Sequence, residues 1–142
     1  MTTVAAPARI SWKSTLAAAG LGAVGGLILN TAIAWGARTL ADIPSEFQQL
    51  TLPVYGFLTV LGALIGAIGW RLIVNRSRNA GRLLTWLVPV VLVLSMIPNV
   101  LLLVSKAQPG TTTAGVVALM LMHIAVAVAA VPAYRRLMPP RS

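Results

Sequence analysis

Two scarcities frame this sequence. It has no cysteine, and of its 142 residues only Asp42 and Glu46 carry a carboxylate side chain. The first absence excludes disulfides, thiolate metal sites and cysteine nucleophiles. The second leaves acid–base catalysis and carboxylate metal ligation almost without material. Charge of either sign is thin: 9% of residues, against about 25% in an ordinary soluble domain. A soluble fold of this length needs far more polar surface to stay dissolved. Histidine occurs once, as His123.

What is present is apolar. Hydrophobic residues make up 58% of the chain, so its outside must be covered by something apolar, and a bilayer is the medium that does this. The net charge of +9 would suit nucleic acid, but the basic residues lie between apolar stretches rather than on one face. No nucleic-acid partner is therefore expected.

Charged residues divide the chain into four charge-free windows: 14–37, 47–70, 83–105 and 107–134, the last apart from any charge on His123. A spanning helix needs about 20 apolar residues, so each window holds one span and none holds two. The predicted spans are 15–35, 52–73, 83–104 and 113–133. The expected fold is all-α, an integral membrane four-helix bundle forming a single domain over 1–142. Span one has a rival reading as a signal peptide, with Arg9 and Lys13 before the apolar run and small residues near Ala32 and Ala34. The run is longer than a typical signal core and carries Gly20, Gly22, Gly25 and Gly26.

Orientation follows from the basic residues. Arg9 and Lys13 precede span one, Arg71, Arg76, Arg78 and Arg82 flank the middle loop, and Arg135, Arg136 and Arg141 follow span four. Only Arg38 and Lys106 fall on the other side, together with both acids. The positive-inside rule then predicts a plasma-membrane protein with both termini in the cytoplasm. Trp12, Trp70, Trp86 and Tyr134 fall near the inner ends of their spans, and Trp35 and Tyr55 near the outer ends. That placement predicts that all six rings lie at headgroup level rather than in the core.

The loops carry signals of their own. Ser45 and Gln48 have capping-box spacing, Phe47 and Leu50 are expected to face the membrane from an interfacial turn, and Pro53 suits the first turn of span two. The inner loop "NRSRNAGR" either serves as a topology determinant or attracts anionic lipid headgroups.

Lipid tails are as apolar as leucine, so close backbone approach and interhelical hydrogen bonds must hold the spans together. Gly22 and Gly26 are four apart in span one. In span two, Tyr55, Thr59, Gly62, Gly66 and Gly69 predict one seam facing a neighbour. Gly-based seams also allow self-association into a homo-oligomer. Pro98 and Pro132 each remove one N–H, freeing the carbonyls of Leu94 and Val128.

Helical rise places Tyr55 and Asn99 roughly 5–8 Å below the outer end, Asn30 and Thr59 roughly 9–10 Å, and Ser95 and His123 about 14–15 Å. These six side chains predict one polar cluster in the outer half. Two readings fit it: hydrogen-bonded struts between helices, or a site for a ligand or solute. A neutral imidazole has one donor and one acceptor, and Asn99 is the expected partner of His123. No catalytic residue, metal or cofactor is expected. A Ser95–His123 pair lacks an acidic orienter, one histidine does not make a metal site, and Met96, Met120 and Met122 read as packing rather than haem ligands.

The four spans, with "SMIP" in span three and "LMHIAVAVAAVPAYRRL" closing span four, resemble a small actinobacterial family of four-span membrane proteins without an assigned function. The resemblance covers most of the chain. It implies an integral membrane protein and carries over no site. Four-span multidrug exporters depend on a glutamate in span one, and quinone-reducing four-helix enzymes on cysteine pairs; this chain has neither. The expected role is a non-catalytic membrane component or accessory subunit. The alternative is a small transporter, channel or lipophilic-ligand binder using the outer cluster.

Overall fold

The computed structural model describes residues 9–140. Over that range it is all-helical: α1 (Trp12–Leu40), α2 (Leu52–Arg76), α3 (Ala80–Ser105) and α4 (Thr113–Leu137), with one 3-10 turn at Gln48–Leu50. All four helices are long and apolar enough to cross a membrane, so we read the chain as a multi-pass membrane protein. Each contains its predicted span and extends it, α1 by the most. Lys13 and Arg38 end the charge-free window without ending the helix, because long basic side chains reach past the apolar zone along their own stems. Arg141 lies outside the described residues.

Local chemistry sets several helix ends. Ser11 Oγ accepts the N–H of Ser14 at 3.1 Å, capping α1. Thr112 Oγ1 does the same for Gly115 at 3.1 Å, capping α4. Pro53 sits in the first turn of α2, as expected. Lys106 closes α3 in the left-handed region at φ 48°.

Two sets of contacts define the ends of the bundle. Ile10 N–H donates to Asn75 Oδ1 at 2.8 Å, and Trp70 Nε1 donates to the Met138 carbonyl at 2.9 Å. Both chain ends and the α2–α3 corner therefore share one end, the termini end. At the opposite, loop end, a Cβ built on Gly110 would lie 3.0 Å from Phe47 N, and one on Gly115 would lie 2.8 Å from Phe47 Cε1.

The tightest interface joins α1 to α4. A Cβ on Gly22 would lie 2.9 Å from Ala130 Cβ and one on Gly25 would lie 3.0 Å from Ala129 Cβ. A Cβ on Gly26 would meet Thr59 Cγ2 at 3.0 Å and Val126 Cγ2 at 3.3 Å. Small residues thus let two backbones approach where burial alone gives no drive. Apolar clusters close both ends, around Trp70, Tyr134 and Met138 at one and around Phe47, Tyr55 and Met122 at the other.

Three expectations are corrected. The packed line of α2 runs through Tyr55, Thr59, Ala63, Ala67, Trp70 and Val74. It keeps stepping by four where the glycine seam would step back to three, so the face turns by one residue. Gly62 and Gly69 consequently meet nothing within 4 Å, and only Gly66 makes a close approach, 2.9 Å from its built Cβ to Tyr134 Oη.

The capping box does not form. Phe47 precedes the 3-10 turn without any side-chain cap, and Gln48 Nε2 donates to the Ser45 carbonyl at 3.5 Å instead. Phe47 and Leu50 are buried rather than facing lipid, Phe47 completely. Burying a phenylalanine contributes about 2–3 kcal/mol against about 1 kcal/mol for a cap, so the ring sets the path of the loop.

Trp12, Trp35 and Trp86 are exposed rather than in the core. Trp70, Tyr55 and Tyr134 are buried instead. Each finds an interhelical or terminal hydrogen-bond partner for its polar atom, which a headgroup would otherwise supply.

Candidate functional site

Five of the six polar residues of the predicted outer cluster fall into two separate groups, and Ser95 stands apart. Between α1 and α2, Asn30 Nδ2 donates to Thr59 Oγ1 at 2.8 Å, and Thr59 Oγ1 donates to the Tyr55 carbonyl at 2.7 Å. The chain of donors fixes the amide orientation: the Thr59 proton goes to Tyr55, so its oxygen accepts from Asn30. Tyr55 Oη meets Thr31 Oγ1 at 3.1 Å. Asn30, Thr59 and Tyr55 are all buried. Asn30 Oδ1 has no hydrogen-bond partner among the described residues.

Between α3 and α4, His123 Nδ1 lies 2.7 Å from the Leu119 carbonyl of its own helix and 3.4 Å from the Asn99 amide. The shorter contact requires Nδ1 to carry the proton, leaving Nε2 as the acceptor. With the Nδ1 proton committed to Leu119, the 3.4 Å approach of Asn99 Nδ2 is a polar contact rather than the main bond of the imidazole. His123 and Asn99 are then neighbours across α3–α4, with the imidazole anchored first to α4. Ser95 joins neither group, because its Oγ donates to the Leu92 carbonyl within α3 at 2.6 Å.

Among the described residues no three of His, Cys, Asp and Glu approach closely enough to hold a metal ion. The glycines named for packing divide as the fold dictates: Gly22, Gly26 and Gly66 make close approaches, and Gly62 and Gly69 face open space.

Several polar contacts were invisible in the sequence. Tyr134 Oη donates to the Ala63 carbonyl, linking α4 to α2. Trp70 Nε1 holds the end of α4, and its ring packs against Tyr134 with centroids 5.7 Å apart. The termini half of the bundle is braced by these aromatic donors. The spacing of Trp70 in register with Ala63 and Ala67 was the available signal. Arg71 is likewise engaged: Nε donates to the Ile10 carbonyl at 3.1 Å, and the guanidinium lies 4.0 Å from the centre of the Trp12 ring.

Residues 9–139 match the model of DUF6069, a family of unknown function, and the chain belongs to that family. No curated protein and no solved structure matches it.

Proposed function

We propose that this DUF6069 protein is a non-catalytic, multi-pass component of the plasma membrane that works as an accessory or self-associating subunit. The observation that carries the reading is α3. It is 26 residues long yet buries only Ala80, Leu84 and Asn99, leaving large aliphatic residues such as Val93, Leu101 and Val104 exposed along it. The other helices each bury six or more residues, so α3 offers the broadest face for a second membrane helix.

The concentration of arginine at the termini end supports cytoplasmic termini. The resemblance of the "SMIP" and "VPAYRRL" stretches supports an actinobacterial source. Crosslinking in native membranes followed by mass measurement tests the proposal. A stoichiometric adduct, with itself or with another membrane protein, is expected, and Val93→Trp on α3 should weaken it. A protein that stays monomeric and conducts a solute in proteoliposomes, with flux abolished by His123→Ala, would establish the transporter reading instead.

A further inference from the structure

The α2–α3 corner at the termini end holds a shallow wedge. Two open grooves, of about 360 and 450 Å³, share Ser77 and Leu83. Arg82 and Trp86 line the first, and Leu72 and Arg76 line the second. The floor is apolar and the upper rim is cationic. Ala80 and Leu84 hold this end of α3 against the bundle, leaving Leu83 and Trp86 on the open side.

Among the described residues the charge on this rim has no acidic side-chain counterpart. Asp42 and Glu46 are the only acids in the chain, and both lie before α2, at the loop end. A helix of the length of α2, 25 residues, separates them from Arg76 by about 38 Å, several times the Debye length of about 8 Å. Arg71 is held by Ile10 and Trp12. Arg76 and Arg82 are exposed and make no side-chain hydrogen bond among the described residues. Asn79 also leaves the first turn of α3 without a side-chain cap, which adds partial positive charge beside the rim.

We infer that this wedge seats one anionic phospholipid. Arg76 and Arg82 pair with its phosphate, for which the guanidinium fork is well shaped. One acyl chain runs down the groove over Leu72, Leu83 and Trp86. The ligand must combine a net negative headgroup with a chain, because the rim alone would serve a soluble anion and the floor alone any lipid. This inference adds a lipid partner to the accessory reading and does not depend on whether α3 binds a protein.

The test uses the full chain purified in mild detergent and mixed with phosphatidylglycerol and phosphatidylcholine of matched acyl chains. Native mass spectrometry reads the lipid retained. One phosphatidylglycerol per chain is expected. Arg76→Gln with Arg82→Gln should weaken retention about twenty-five-fold, from about fivefold per arginine. Arg135→Gln with Arg136→Gln removes the same charge at the same end but outside the wedge, and should leave retention unchanged. Trp86→Ala, with all charges intact, should lower retention several-fold. Equal retention of the two lipids, or equal loss in both glutamine pairs, overturns the site. Competition by acyl-free glycerophosphoglycerol as strong as by the lipid would reduce it to a soluble-anion contact and also overturn it.

Discussion

Gly22→Ala isolates the interface that holds the bundle together. The added Cβ would lie 2.9 Å from Ala130 Cβ, 3.0 Å from Ala130 Cα and 3.7 Å from Tyr134 Cε1. Carbon atoms in good contact sit about 3.5–4.0 Å apart, so α1 and α4 must separate locally by roughly 0.5–1 Å. The obstructing atoms include backbone, which cannot swing aside. Overpacking of this kind costs about 1–3 kcal/mol. The same substitution gains up to about 1 kcal/mol in helix propensity, which would hide part of the loss. Gly20→Ala supplies the correction, because a Cβ there meets nothing within 4 Å on the same helix. The difference between the two variants, read by reversible unfolding in mixed micelles, should be about 1–3 kcal/mol with Gly22→Ala the weaker. Ala130→Gly on the Gly22→Ala background should recover part of it, since the Cβ contact goes while the Cα at 3.0 Å stays. Equal stability of the two single variants, or no recovery, would refute the steric account.

Tyr134→Phe removes the donor to the Ala63 carbonyl and should cost about 0.6 kcal/mol, at most about 2, by the same unfolding assay. His123→Phe should lower the melting temperature in detergent measurably; an unchanged value would remove the strut role across α3–α4. Phe47→Ala empties a fully buried position at the loop end and should destabilise by about 3–5 kcal/mol, with faster proteolysis between α1 and α2. Because the chain has no native cysteine, a single Gln108→Cys reports orientation directly: a membrane-impermeant maleimide should label it in intact cells, and protection there would reverse the proposed topology.

The helices were legible because each rests on about 20 residues of unbroken apolarity. The starts of α2 at Leu52 and α4 at Thr113 coincide with the sequence estimates because Pro53 and Thr112 mark them chemically. Rotation of α2 about its axis was not legible. Glycine and alanine are both small enough to pack closely, and choosing Ala63 over Gly62 depends on where Trp70 and Tyr134 lodge, a long-range matter. The loop end failed for a related reason. Ser45 and Gln48 satisfy a local pattern, but Phe47 answers to Gly110 and Gly115, which are distant in sequence. Of the polar residues singled out, Asn30 meets Thr59 and Asn99 lies beside His123 between helices, whereas Ser95 bonds within α3. Depth alone does not distinguish one cluster from two pairs on opposite sides of the bundle.

The pairing of α1 with α4 also sets an order of events during synthesis. α1 finds its tightest partner in α4, so the small-residue face around Gly22 and Gly25 stays uncovered until α4 is made, while Gly26 already meets Thr59 of α2. Folding domains assemble as their elements emerge at about 5–20 residues per second, which leaves that face bare for several seconds. A nascent chain stalled before α4 would present a sticky glycine surface to any passing helix. Docking of α4 covers that surface, with Ala129 and Ala130 set against Gly25 and Gly22.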